Sequence, residues 1–303
     1  MCRAFVVVLT LVAASACSPA TMGINRMADA LSATTSAFGR DDDPEFVRVG
    51  APSTLKMVEM MLDDQPAHPG LLLTACRGYT QYAYAFLHVE SELAAPTNAS
   101  AAADLKQRAG RMYERARAYC LRALQLGLRR PGAADGLREA LANEPKSTLA
   151  AATRADVAGL YWTAAAWGGS ISVADSPLLR LGELAAVRAL LARAVELDEA
   201  WEAGTIHETL IAIEAVPAWL GGSAERARKH FTRAVELSEG QSAFAYVTLA
   251  TSVALPAKNR AEFERLLKQA LAIDVNKRPA IRLANLIAQK RARFLLSRAA
   301  SLF

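Results

Sequence analysis

The sequence predicts an all-α protein, built as an array of helical hairpins in a single compact superhelical domain of about 11–13 helices. Three observations favour this fold class. Hydrophobic residues make up 52% of the chain, and alanine, the best helix former, is abundant. No sustained alternation of β-branched and polar residues marks a strand. Capping residues, glycines and prolines recur at short intervals, so neighbouring helices should pack as antiparallel pairs.

Composition excludes several classes of protein. The net charge of +5, from 35 basic and 30 acidic side chains, is too small an excess to indicate nucleic-acid binding. Four cysteines are too few for a disulfide-dense scaffold. The hydrophobic fraction is far above that of a disordered chain, and 303 residues suit one unit or two intimately packed ones.

Residues 1–16 have the pattern of a lipoprotein-type signal peptide. Arg3 precedes an apolar run, 4–16, that is shorter than the roughly 20 residues of a membrane span. Ala14-Ser15-Ala16-Cys17 resembles a bacterial lipoprotein processing site, which predicts cleavage before Cys17 and lipidation of that cysteine. Ser18 then favours sorting to the outer membrane. Ordinary secretory cleavage near Ala16 is the alternative.

The rest of the chain divides into a tether with a first helix, 17–40, and one helical domain, 41–303. The longest later apolar stretch, around Leu71–Val89, is interrupted by polar residues and is not expected to span a membrane. We therefore expect a periplasmic protein held to the membrane by its lipid.

Caps and breakers predict the helices of the domain in order. Asp43-Pro44 places a capping residue before a proline at the first helical position. Ser53, after Gly50-Ala51-Pro52, should begin a separate helix that ends near Leu62. Pro69 opens a long helix to Leu93, and a helix from Ser147 should stop at Gly168-Gly169. The other predicted helices cover 101–128, 133–142, 178–197, 199–216, 223–238, 241–255, 259–273 and 279–302.

A short sequence motif repeats within the chain. Arg193-Ala194-Val195-Glu196-Leu197 recurs at 233–237, and a looser copy lies at 269–273. The spacing is close to the roughly 34-residue period of tetratricopeptide (TPR) repeats, allowing for insertions. This pattern favours a TPR-like array, with a generic helical bundle as the alternative.

The helix at 69–93 is apolar nearly all round, which is typical of a central helix. Its polar residues, which include Arg77 and Gln81, form one thin stripe, and Tyr84 lies close to that stripe. Because a buried arginine is costly unless paired, Arg77 either meets an anionic ligand in an internal groove or forms an ion pair with an acidic residue of the chain.

Aromatic residues and two cysteines leave further alternatives open. Tyr161, Trp162 and Trp167 lie in an alanine-rich helix, where they either wall an apolar pocket or fill the core. Trp201 and Trp219 flank one predicted helix, where they lie either in the core or at its rim. The third and fourth cysteines, Cys76 and Cys120, either pair in an oxidising periplasm or lie buried as separate small hydrophobic residues; we favour the second.

Catalytic and metal-binding patterns are weak. His207-Glu208 is not followed by the second histidine of a zinc protease, and no phosphate loop, dinucleotide motif or nucleophile motif occurs. We therefore predict no enzyme activity, metal or cofactor. The basic C-terminal helix, which includes Arg291, also has an apolar face, so its charges are read as a solvated side and not as a nucleic-acid site.

Several stretches, in order, resemble the TatT family of lipoproteins associated with tripartite (TRAP-type) transporters. They include DDDPEFVRVGAPSTLKMVEMML (41–62), HPGLLLTACRGYTQYAYAFLHVE (68–90), LYWTAAAWGGSISV (160–173), GGSAERARKHFTRAVELS (221–238) and RLANLIAQKRARFLLSRAASLF (282–303). The resemblance implies a TPR-like periplasmic lipoprotein that can form a homotrimer. It also implies partnership with the transporter's solute-binding protein and a role in passing a ligand.

These observations lead to two functional hypotheses. In the first, the chain docks the solute-binding protein and binds or conducts a small organic acid or hydrophobic ligand through a helix-lined groove. Arg77, Gln81, Tyr84, Tyr161, Trp162 and Trp167 are its candidate ligand-binding residues. In the second, the chain is a general TPR-like scaffold in envelope assembly and takes no ligand.

Overall fold

The computed structural model describes Arg26 and residues 36–129, 134–176, 180 and 182–303. The predicted signal peptide 1–16 and the lipidation site Cys17 lie outside these residues. Within them the chain is α-helical with short 3-10 and π segments and without strands, as predicted. No helix in the described part is long and apolar enough to cross a bilayer.

The helices are numbered α1–α14, with the segment from Pro69 to Ala94 counted once as α3. This rod consists of α-helical Pro69–Ala83, π-helical Tyr84–His88 and α-helical Val89–Ala94. The others are α1 Ser36–Gly39, α2 Pro44–Asp64, α4 Ala99–Gly127, α5 Ala134–Asn143, α6 Pro145–Leu149, α7 Val157–Ser172, α8 Leu184–Asp198, α9 Thr205–Glu214, α10 Ala224–Leu237, α11 Ala243–Leu249, α12 Arg260–Leu271, α13 Arg282–Ser297 and α14 Ala299–Leu302. The described residues therefore hold slightly more helices than predicted, because one-turn helices such as α1 and α6 carry no periodicity that a sequence pattern can detect.

Several predicted helix boundaries are wrong. The helix predicted from Ser147 is divided into Pro145–Leu149 and Val157–Ser172, and the one predicted at 199–216 begins only at Thr205, after the left-handed residues 202–204. α2 runs without a break through Pro52, because Val47, Ala51, Leu55 and Val58 form one buried stripe whose packing outweighs the backbone hydrogen bond that Pro52 cannot donate. α7 likewise continues through Gly168-Gly169 to Ser172. A side chain at position 169 would meet the ring of Tyr113, with its Cβ only 2.4 Å from Cε1, so this glycine allows close helix packing and does not end the helix.

Consecutive helices pack against one another along the chain, and the two ends of the array meet. α3 packs on α2, α4 and α7, while α11, α12 and α13 form a second cluster at the C-terminal end. α13 also contacts α1, α2 and the end of α3. Ile287 of α13 joins Val47, Phe86 and Val89 in one buried cluster. α3 is therefore central, as its apolar character predicts.

Cys76 of α3 and Cys120 of α4 form a disulfide. The interpretation that we favoured, two separate buried thiols, is wrong. Both residues are fully buried in the core between the two helices, which the sequence could not place side by side. The bond ties α4 to the turn of α3 that carries Arg77.

Candidate functional site

The polar stripe of α3 lies against helices from the middle and the end of the chain: Arg77 meets Trp162 of α7 and Glu202, while Glu92 meets Arg291 of α13. We call this line of contacts the internal seam. Along this stripe Arg77, Tyr84, His88 and Glu92 follow one another at helical spacing, each partly exposed within the fold. Tyr84 contacts Phe244 of α11 across the seam, with ring centroids 5.5 Å apart. The π-helical turn Tyr84–His88 lies in the middle of the stripe, and such turns are frequent at functional sites.

One end of the seam contains a fully satisfied ion pair. Arg291 of α13 donates two hydrogen bonds to Glu92, from Nε to Oε2 at 2.6 Å and from Nη2 to Oε1 at 2.9 Å. Burial lowers the pKa of Arg291, but Tyr84 and Glu92 outweigh that effect and raise it. Only 14% of the Arg291 side chain is exposed. The prediction that this arginine belongs to a solvated face is therefore wrong: its partner lies 199 residues away and offers no sequence signal.

Two further groups complete this end. The His88 Nδ1 atom lies 3.3 Å from the Tyr113 hydroxyl, and its Nε2 atom lies 3.7 Å from Glu92 Oε1. Burial lowers the pKa of His88, although Glu92 opposes the effect. Burial also raises the pKa of Tyr84 and Tyr113. Burial therefore favours the uncharged forms of His88 and both tyrosines, while Arg291, Glu92 and Lys106 are the charged groups that act on His88.

The other end contains Arg77 in a looser arrangement. Its closest carboxylate is that of Glu202, with Nη1 and Oε1 3.6 Å apart, which is an ion pair but too long for a hydrogen bond. The Arg77 Nε atom is buried and has no hydrogen-bond partner. Its guanidinium lies over the ring of Trp162, 5.3 Å from the centroid. This cation therefore keeps hydrogen-bonding capacity that the fold does not use.

An aromatic wall lies beside Arg77, in which Tyr161 and Trp162 are buried in the main core cluster and Trp201 is partly exposed. Tyr161 lies with its ring centroid 4.9 Å from that of Trp162 and 4.9 Å from that of Trp201. The Tyr161 hydroxyl is within 3.2 Å of the Thr209 hydroxyl on α9. Burial raises the pKa of Tyr161, so the phenol stays neutral and this wall is apolar with one polar tip.

Glu208 of α9 lies between the two ends and influences both Tyr84 and Tyr161 electrostatically. It is almost completely buried. Burial raises the pKa of its carboxyl group to about 7, against the opposing effects of Ser242 and Arg278. A carboxyl group that titrates near neutrality inside a seam is typical of a functional position.

The candidate ligand-binding residues thus fall into four groups. Arg77, Tyr161 and Trp162 lie together at one end, and Tyr84 lies at the other. Trp167 is buried in the core, where its indole nitrogen donates to Glu183 and Arg117 lies over its ring at 5.4 Å. Gln81 is exposed.

Sequence reasoning missed Glu92, Glu202 and Glu208 as members of the site. Glu208 carried a usable signal, since it is a charged residue among apolar neighbours of α9, the same argument that identified Arg77. Glu202 carried no sequence signal, because it reaches the site through a left-handed backbone conformation that the sequence does not indicate.

Comparison with known proteins gives matches over most of the chain. The chain is 28% identical over 262 residues to an uncharacterized protein of Treponema pallidum (strain Nichols), covering 86% of this chain and 80% of that protein. Residues 40–303 match the family described as the TRAP transporter T-component. That match extends over the whole helical domain and links the chain to TRAP transporters. The chain belongs to the TRAP transporter T-component family.

Proposed function

We propose that the chain is a non-enzymatic, extracytoplasmic T-component that docks the solute-binding protein of a TRAP-type transporter and passes a small ligand through the internal seam. Family membership supports the link with the transporter. The observation that carries the ligand hypothesis is Arg77, a cation with an unpartnered Nε atom beside an aromatic wall. The ligand that suits this chemistry is a small organic acid with an apolar body.

Binding of such a ligand is tested by titrating the purified mature chain with hexanoate, as a probe, in a calorimeter. Arg77→Met should weaken binding roughly ten- to a hundredfold, because a charge-assisted hydrogen bond contributes about 1.5–3 kcal/mol. The control is Arg193→Met, which removes a cation that pairs with Glu196 outside the seam. Unchanged affinity of the Arg77 variant, or equal loss in both variants, would contradict the assignment.

The docking part of the proposal is supported by α2, a surface that the second candidate function, a general scaffold without a ligand, would use in the same way. Four large apolar side chains of this helix, Phe46, Val49, Met57 and Met60, are 50–69% exposed on the face opposite its buried stripe. Exposed patches of this kind mark interaction surfaces. The segment 41–64 carries seven acidic and two basic side chains, so a partner should present an apolar surface with a basic rim. We assign this surface, the α2 face, to the solute-binding protein.

The α2 face is tested by co-elution of the mature chain with the purified solute-binding protein. Phe46→Asp combined with Met60→Asp should abolish the complex and leave the helical circular dichroism unchanged. Trp219→Asp is the matched control, since Trp219 is 72% exposed outside α2. Loss of a wild-type homotrimer in the double variant, with the complex intact, would assign the α2 face to a second copy of this chain.

The proposed lipid anchor places the protein at the outer membrane, facing the periplasm. Cys17→Ala should shift the protein from the membrane to the soluble fraction or leave it unprocessed. Mass spectrometry of the wild-type N-terminus should find the added lipid on Cys17. Membrane retention in the variant, with no mass added in the wild type, would contradict anchoring by lipid.

A further inference from the structure

Glu202 reaches Arg77 from an unusual backbone conformation. Three consecutive residues, Glu202, Ala203 and Gly204, have left-handed dihedrals, with φ of 42°, 57° and 90°. Two of them carry side chains, for which this region is unfavourable. Strain of this kind persists only where the surroundings enforce it, and it is frequent at ligand clamps and switch segments.

The contact that this conformation creates is nevertheless poor. Glu202 Oε1 remains 3.6 Å from Arg77 Nη1, and 40% of the Glu202 side chain is still exposed. Burial raises the pKa of Glu202 although Arg77 lowers it, so the arginine does not fully compensate the carboxylate. Arg291, in contrast, holds Glu92 through two short hydrogen bonds. The same two side-chain types can therefore pair much better in this fold than Arg77 and Glu202 do.

The surroundings of Arg77 suit an incoming carboxylate with an apolar body. A guanidinium prefers to bind a carboxylate with two parallel hydrogen bonds. The ring of Trp162 lies next to this cation, and Tyr161 and Trp201 continue the aromatic cluster from it. Trp162 and Tyr161 are buried, so the partly exposed Trp201 is the ring that an apolar ligand body would meet. Trp201 directly precedes Glu202, so a movement of Glu202 changes the environment of that indole.

We propose that Glu202 acts as an internal competitor at Arg77, and that a monocarboxylate with an apolar body takes its place. This inference rests on the proposed function and adds to it the class of ligand and the residue that it displaces. The ligand carboxylate accepts the hydrogen bonds that Glu202 cannot reach. Glu202 then turns toward solvent, and the segment Trp201–Gly204 leaves its strained conformation.

The test compares hexanoate with its neutral analogue hexanamide on the full mature chain, by calorimetry and by tryptophan fluorescence. Glu202→Gln should raise the affinity for hexanoate about tenfold and leave that for hexanamide unchanged, because it removes the competing charge. Arg77→Met should reduce hexanoate binding to the level of hexanamide. Glu196→Gln, on the exposed face of α8, is the matched control and should change neither affinity. Trp201→Phe should remove most of the fluorescence change.

Each other outcome contradicts part of the account. An unchanged or lower hexanoate affinity in folded Glu202→Gln, and in Glu202→Ala as a second variant, overturns the exchange, while the effect of Arg77→Met still decides the proposed ligand site. Equal affinity for hexanoate and hexanamide, or no binding of either by any variant, overturns the carboxylate as ligand class. The partnership with the solute-binding protein is judged separately through the α2 face.

Discussion

Two arginines of the internal seam, Arg291 and Arg77, show how the same type of side chain can have different roles in one fold. Arg291 donates two short hydrogen bonds to Glu92 and also contacts Tyr84. Arg77 has one distant carboxylate neighbour and a buried, unpartnered Nε atom. Arg291 closes the array by joining α13 to the end of α3, whereas Arg77 retains unused binding capacity. The difference separates a structural ion pair from a ligand-binding candidate.

Removing Arg291 should have the largest effect on stability. Arg291→Met leaves the Glu92 carboxylate without its partner in a mostly buried place, and breaking such a pair typically costs about 3–5 kcal/mol. Urea denaturation followed by circular dichroism measures the loss. Replacing Glu92 by Gln in the same chain should restore part of the stability. A loss below about 1 kcal/mol in the single variant would mean that Arg291 does not hold the ends of the array together.

The disulfide sharpens the comparison, because it supports the Arg77 end of α3. Replacing Cys76 and Cys120 by alanine together should lower the free energy of unfolding by about 2–4 kcal/mol, since the bond closes a loop with a sequence separation of 44. Hydrogen exchange should then accelerate around Cys76 and Arg77 more than around Arg291. Uniform acceleration along α3 would show that the bond does not distinguish the two ends.

Glu208, between the two ends, should make stability depend on pH. The pKa of its carboxyl group is about 7 in the fold against an ordinary 4.5, so the native state binds a proton that the unfolded chain releases. Stability should therefore fall as the pH rises from about 4.5 to about 7, by at most about 3 kcal/mol. Glu208→Gln should flatten this dependence in urea denaturation at several pH values. An unchanged slope in the variant would assign the dependence to other groups.

Removing Arg77 should have the smallest effect on stability. Its ion pair is 3.6 Å long and 26% of its side chain is exposed, so Arg77→Met should change the free energy of unfolding by less than about 1 kcal/mol. Methionine keeps the helix propensity and much of the apolar contact with Trp162. A loss as large as that of Arg291→Met would make both arginines structural.

The sequence predicted the parts of the site that depend on periodicity. A nearly all-apolar helix with a thin polar stripe indicated a central α3, which is confirmed, whereas Arg77 on that stripe is only partly buried, with 26% of its side chain exposed. It could not indicate Glu92 as the partner of Arg291, because that pair depends on how the ends of the array meet. Nor could it place Glu202, whose left-handed backbone follows no propensity rule.

The helix boundaries failed for a related reason. Pro52 and Gly168-Gly169 are local breakers, and the prediction gave them their usual local weight. Both helices nevertheless continue, because the buried stripe of α2 packs against the core and Tyr113 approaches Gly169 closely. Local signals therefore sufficed for the fold class, while tertiary contacts determined where these helices end and which charges meet.

The contrast between the two arginines is tested most directly by NMR of their Nε–H groups during titration with hexanoate. The Arg77 Nε–H signal should move progressively as hexanoate is added, because its nitrogen gains a hydrogen-bond acceptor. The Arg291 signal should stay in place and exchange slowly with water, since its nitrogen already donates to Glu92 at 2.6 Å. Movement of the Arg291 signal, or a stationary Arg77 signal at saturating hexanoate, would contradict the account.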